Sequence, residues 1–231
     1  MRQLPLGVQL GVSMRFETYH EGANGAVVAA LTQLAGVAGH APLWILGPTG
    51  VGKTHLLQAA CAFAGQRGLT SAYLPLATPG DLAPGLLAGL EQLDFVALDD
   101  VDAIAGEPAW ERALFTLYNE LPEIGGRLAC SAKVPPAGAA FALPDLASRM
   151  SASVVHRLQP LAERDQGLAL RRRAAHRGLE LPDDTLSYLT RRAPRDFGAL
   201  CRLLDALDTE ALAAQRRLTV PFVRQVLERA D

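Results

Sequence analysis

The stretch that most constrains this chain is Gly47-Pro48-Thr49-Gly50-Val51-Gly52-Lys53-Thr54, which fills every fixed position of the pattern G-x-x-x-x-G-K-[ST]. Just before it, Leu43-Trp44-Ile45-Leu46 reads as a short buried strand. Just after it, Leu56, Leu57, Ala60, Cys61 and Ala64 recur at helical spacing. Strand, glycine loop and helix are the setting in which this pattern wraps phosphate. The glycines let backbone N–H groups turn inward, and the helix N-terminus adds partial positive charge. In such a loop Lys53 reaches the terminal phosphates and the Thr54 hydroxyl ligates Mg²⁺. His55, next on the helix, joins the nucleotide-contacting positions. The expected ligand is a nucleoside di- or triphosphate.

Composition sharpens the assignment. The chain has twenty arginines and only two lysines, Lys53 and Lys133. A compact ammonium at Lys53 marks a place where the planar guanidinium would not fit.

At 231 residues the chain holds one large α/β domain or a core domain with a small appendage. Apolar content of 49% is that of a globular protein, and no apolar run approaches the roughly 18 residues of a membrane span. The N-terminus shows no charged-then-apolar leader pattern, so a cytoplasmic location is expected. Cys61, Cys130 and Cys201 lie far apart, with no C-x-x-C pair, and read as buried small residues in a reducing compartment. Residues 1–156 carry 8 basic and 13 acidic side chains, and residues 157–231 carry 14 and 11. An acidic core with a mildly basic C-terminal part falls short of a nucleic-acid footprint, so direct, tight DNA binding is not expected.

From Phe16 to about Pro160, strand-like and helix-like segments alternate. The strands are Leu43–Leu46, Ser71–Leu76, Phe95–Leu98, Arg127–Ser131 and Val154–Leu158. Between them come the loop helix, a Gly/Pro-broken helix, and a helix at Trp110–Leu121 with one apolar stripe. This alternation implies a parallel sheet covered on both faces. After Pro160 the pattern becomes purely helical. Helices are expected from about Glu163 to His176, from Asp183 to before Pro194, on the face Phe197, Leu200, Cys201, Leu204 and Leu207, and from Thr219 onward. The expected division is an extended tail at 1–13, an αβα nucleotide-binding domain at 14–160 and a small all-helical domain at 161–231.

Phe95-Val96-Ala97-Leu98-Asp99-Asp100 has the form of a second nucleotide-site motif, an apolar strand ending in acids. Asp99 at the strand tip can hold Mg²⁺, directly or through water, and Asp100 can polarise the attacking water.

Taken in order, the phosphate loop, the Asp-Asp strand, an arginine-bearing segment and four closing helices resemble the DnaA-related AAA+ family. Within it the chain is most similar to the Hda-type regulators. The resemblance runs through Ala103-Ile104-Ala105-Gly106, Trp110-Glu111 and Leu143-Pro144-Asp145-Leu146-Ala147-Ser148-Arg149. It continues in Leu158-Gln159-Pro160-Leu161, in Arg177-Gly178-Leu179-Glu180-Leu181-Pro182, and in the stretch from Ala214 to Val223. The fold it implies is an AAA+ αβα core with a helical lid, and the cofactors are ADP or ATP with Mg²⁺. Arg149 matches the family's arginine finger, which acts in trans on phosphate held by an adjacent subunit. Arg195 matches the lid arginine that contacts the chain's own nucleotide. Phe16 through Asn24 resembles the segment that wraps adenine, with Phe16 or Tyr19 on the base. Two departures stand out. Ser131-Ala132-Lys133 puts Ala132 near the position where the family usually has a sensing Asp, leaving Lys133 as a substitute point charge, and the phosphate loop is complete where some Hda-like chains have a degraded one. Nucleotide binding is therefore expected, but fast intrinsic hydrolysis is not.

Gln3-Leu4-Pro5-Leu6-Gly7-Val8 resembles the short peptide that docks on the bacterial sliding clamp, with Gln3, Leu4, Leu6 and Val8 as its contacts. Pro5 keeps such a peptide extended and lowers its ordering cost. The helix-turn-helix reader that DnaA carries beyond its lid has no counterpart before Asp231. The resemblance thus implies an activator of ATP hydrolysis on DnaA, attached to the clamp, which represses replication initiation. A homo-oligomer is compatible with it. A helicase-loader-type AAA+ ATPase and an autonomous phosphate-loop ATPase remain the alternatives.

Overall fold

The computed structural model describes residues 14–36, 41–77, 83–192, 197–214 and 216–230. Five strands, β1 (Leu43–Leu46), β2 (Ser71–Pro75), β3 (Phe95–Asp99), β4 (Arg127–Ala132) and β5 (Val154–Arg157), form one parallel sheet in the order β2-β3-β4-β1-β5. Every residue of β1, β3 and β4 is buried. That is why β1, and β3 up to Asp99, read as apolar runs and not as alternating ones, while β4 buries Arg127 and Ser131 beside its apolar Leu128–Cys130. Trp44 and Leu46 of β1 join the core on one face of the sheet, while Leu43 and Ile45 join the core on the other.

Helices α1 (Gly25–Gly36) and α2 (Lys53–Gln66) fill the second of these layers with Val27, Leu31, Leu34, Leu56, Leu57 and Ala60. Helices α3 (Pro108–Glu120) and α4 (Pro144–Ser151) fill the first with Trp110, Leu114, Leu117, Leu146 and Met150. An αβα sandwich results, as the alternation of segments implied. Two local readings change. The Gly/Pro-broken helix expected between β2 and β3 is, among the described residues, only two 3-10 turns, Pro84–Leu87 and Leu90–Gln92. Pro84 begins the first, and Gly89, with φ of 91°, separates it from the second, so no helix propagates. Conversely, the sequence reading assigns no element to α1, although Val27, Val28, Leu31, Leu34 and Ala35 bury one helical face.

After β5 come α5 (Glu163–His176), α6 (Asp183–Arg192), α7 (Phe197–Ala214) and α8 (Val220–Ala230). They enclose a separate core of Leu170, Ala174, Leu189, Leu200, Leu204, Leu207, Phe222 and Val223. Arg173 on α5 forks onto Asp205 of α7 at 3.1 and 2.9 Å, and Arg177 reaches Asp205 and Asp208, each at 3.1 Å. Among the described residues no helix is long and apolar enough to cross a membrane.

Candidate nucleotide site

The parallel sheet brings the carboxyl ends of β1, β3 and β4 to one rim, where open α/β sheets place their ligand crevices. The glycine loop leaves β1 at this rim. Gly47 N–H donates to the Ala132 carbonyl of β4 at 3.2 Å. A side chain there would meet Val51 Cγ1 at 2.9 Å, so only glycine fits. Gly52 has φ of 103°, and a Cβ at that position would lie 2.8 Å from the Tyr19 ring. From Gly52 the chain enters α2, whose first turn carries Lys53, Thr54 and His55.

Lys53 is only 6% exposed, and its ammonium donates to the carbonyls of Gly47 (3.0 Å) and Pro48 (3.3 Å) while lying 3.9 Å from Asp100. A phosphate entering the loop would meet a cation already held in place. Asp99, 3% exposed, gathers three hydroxyls. Thr54 donates to its Oδ2 at 2.6 Å, Tyr73 of β2 to the same oxygen at 2.8 Å, and Ser131 of β4 to Oδ1. Thr54 and Asp99, an alcohol and a carboxylate beside the phosphate loop, are the hard oxygen donors that suit Mg²⁺. Bound there, the ion would supply neutralising charge to the phosphates.

Asp100 follows in the left-handed region (φ 55°), and its N–H donates to Ser131 Oγ at 3.0 Å. Burial and the neighbouring Asp99 charge raise its pKa, against the pull of Lys53. Burial also raises the Tyr73 hydroxyl well above the ordinary phenol value, with the Asp99 charge adding to it, so that it stays a donor. No local sequence pattern marks Tyr73 for this role, which it gains only through strand pairing. Ala132, marked as the departure from the family pattern, is fully buried, and the Lys133 side chain is exposed with its charge felt by Asp100.

The cleft in front of the loop has a volume of about 360 Å³ and is lined by both the sheet domain and the helices beyond it. Tyr19, Asn24, His55 and Leu161 line one part, and Arg173, Phe197 and Cys201 line the lid side. Asn24 clips the N-terminal segment in place. Its side-chain amide donates to Gln159 O at 3.0 Å and to Tyr19 OH at 3.2 Å, and its carbonyl accepts Gln159 N–H at 2.8 Å. Tyr19 therefore lies in the cleft wall against the loop. Phe16 instead packs edge-on against Phe63 of α2, 5.8 Å between centroids, and does not line this cleft. Arg195, Gln3, Leu4, Leu6 and Val8 lie outside the described residues.

His55 Nε2–H donates to the Arg15 carbonyl at 2.9 Å. Burial lowers its pKa to about 4, the Arg15 carbonyl pulls it back up, and the Arg173 charge lowers it further. A base held neutral in the fold costs stability in acid. Below its ordinary value of 6.5 the unfolded chain takes a proton that the folded chain refuses, down to about pH 4. Between those limits unfolding should become easier, by up to one proton's dependence, and His55→Gln should remove that part of the curve. Urea unfolding of both chains between pH 7 and pH 4 tests this. Parallel curves would show that His55 titrates normally.

Arg149 lies in the last turn of α4. Leu146 and Met150 of that helix are fully buried, while Arg149 is exposed and absent from the walls of the chain's own cleft. Among the described residues no carboxylate pairs with its guanidinium.

A nucleotide loop on this five-stranded order, backed by an acidic strand tip and capped by helices, defines a protein of the AAA+ class. Residues 163–227 match the family model of the Hda lid domain, and residues 10–72 match that of the bacterial DnaA ATPase domain. The chain is thus a DnaA/Hda-related AAA+ protein. Its fold is similar to domain III of the Thermotoga maritima replication initiation protein DnaA, with a TM-score of 0.78 and 22% identity over 96% of this chain and 98% of that one. It is also similar to AMPPCP-bound DnaA from Aquifex aeolicus, with a TM-score of 0.65 and 22% identity over 88% of this chain and 66% of that one. A replication initiator DnaA bound to AMPPCP and single-stranded DNA gives a TM-score of 0.64, at 22% identity and the same coverage.

Proposed function

We propose that this chain is a regulator of Hda type. It holds ADP or ATP with Mg²⁺ in its own cleft, attaches to the DNA-loaded sliding clamp, and stimulates hydrolysis of ATP bound to DnaA. Because DnaA with ADP is inactive, the outcome is repression of re-initiation in the cytoplasm. Residues 14–160 form the nucleotide-binding unit and residues 161–231 its lid, with Arg195 on the phosphates. One observation carries the reading: Arg149 is exposed, has no partner carboxylate among the described residues, and lies away from its own cleft. A guanidinium so placed is available to a phosphate on a neighbouring subunit. Matches to the Hda lid and the DnaA ATPase domain support DnaA as that neighbour. The relatives' AMPPCP complexes support an adenine nucleotide in the cleft.

The clamp assignment rests on Gln3, Leu4, Leu6 and Val8. Removing residues 1–8, or replacing Gln3 and Leu4 by Ala, should abolish retention on immobilised clamp with the melting temperature unchanged, since a terminal tail contributes little to folding. Retention of the truncated chain would refute the clamp reading. Parallel columns carrying DnaA and the replicative helicase distinguish this function from a helicase loader.

A further inference from the structure

The proposed function needs Arg149 at a defined place, yet a long exposed side chain on an eight-residue helix is poorly placed by itself. Helix α3 fixes both ends of that helix. At the entrance, Glu111 is 1% exposed and its carboxylate accepts three backbone N–H groups. Oε1 takes Gly106 (2.6 Å) and Ala142 (2.9 Å), and Oε2 takes Leu143 (2.6 Å). Leu143 is the N-cap residue of α4 and has no side-chain acceptor to offer, so an acid from another helix holds the start of α4 instead. At the exit, the Tyr118 hydroxyl donates to the backbone carbonyl of Arg149 itself, at 3.0 Å. Glu111 and Tyr118 are two helical turns apart on α3, hence on one face. Between the two ties, Leu114 and Leu117 pack in the same core as Leu146 and Met150. Gly106, the third amide on Glu111, follows the turn that begins at Asp100, so the frame is referred to the acidic end of β3.

We propose that Glu111 and Tyr118 are positioning residues for Arg149, the first setting the entry of α4 and the second fixing the backbone from which the guanidinium extends. The inference rests on Arg149 acting in trans. Misplacing a reacting group by about 1 Å can cost on the order of a hundredfold in rate. Loss of one of several ties should cost less. Tyr118→Phe should lower the maximal rate of DnaA-bound ATP hydrolysis about three- to tenfold, and Glu111→Gln by more.

The test titrates each full-length variant, with DNA-loaded clamp, against DnaA preloaded with labelled ATP, and reads the maximal single-turnover rate and the half-saturating concentration separately. ADP affinity and melting temperature are measured alongside. The expected result for Tyr118→Phe is a lower maximal rate with the other three quantities unchanged, a split that general loosening of the fold would not give. A wild-type maximal rate for Tyr118→Phe, or a fall accompanied by matching losses in half-saturation and ADP affinity, overturns the positioning role. Glu111→Gln is read by the same split and must move in the same direction. Arg149→Ala runs in parallel. If it is inactive while both α3 variants are normal, only the present inference fails. If it is fully active, the proposed function fails too.

Discussion

Lys53→Ala is expected to weaken ADP and ATP binding by at least about a hundredfold. Truncating one partner of a buried charge pair typically costs about 2–5 kcal/mol, and each 1.4 kcal/mol is about tenfold in affinity. The environment of Lys53 places it toward the upper part of that range. It is 6% exposed, held by two loop carbonyls, and has Asp100 at 3.9 Å. Without the ammonium, the bound phosphates would lose the cation that separates them from Gly47 O, Pro48 O and the Asp100 carboxylate. Calorimetry with ADP measures the loss, and circular dichroism on the nucleotide-free chain separates it from unfolding. Affinity equal to the wild type would remove the site from this loop.

Much of this architecture is legible in the sequence, for reasons that differ along the chain. Strands β1 and β3 are buried on both faces, so they stand out as short apolar runs bounded by glycine, proline or acids. The phosphate loop is local in sequence, and all of its glycine requirements are met within a few residues of Lys53. The partners of Asp99 are not local. Tyr73 reaches it because β2 pairs with β3 in a register that sets Tyr73 opposite Ala97, and Ser131 because β4 flanks the other side. No spacing rule within one segment announces a parallel register. The role of Asn24 as a clip is hidden for the same reason, since its two bonds to Gln159 span 135 residues. Phe16 and Tyr19, three apart, read alike as base-stacking aromatics, but the structure turns one to Phe63 and the other to the loop. The Pro84–Gln92 region shows the opposite failure. There apolar leucines suggested a helix that Pro84 and the left-handed Gly89 break into turns.

Arg149→Ala should leave ADP binding, clamp binding and the fold intact. Its side chain is exposed, lines no part of the chain's own cleft, and packs outside the Leu146–Met150 face that holds α4. What should fall is the hydrolysis of ATP on DnaA. Arginines supplied in trans to a phosphate are worth about 10³–10⁵ in rate in well-studied nucleotide hydrolases, because their charge meets the transition state. The matched control is Asp100→Asn, which removes the acid beside Lys53 while keeping a residue that tolerates the left-handed backbone at φ 55°. That change should slow only hydrolysis of the chain's own nucleotide. Release of labelled phosphate in a single turnover from DnaA preloaded with ATP, with clamp on DNA and each variant supplied with ADP, tests whether Arg149 acts in trans. Arg149→Ala is expected to be slower by orders of magnitude and Asp100→Asn to be near the wild type. Full activity of Arg149→Ala, or loss of activity in Asp100→Asn alone, would contradict it.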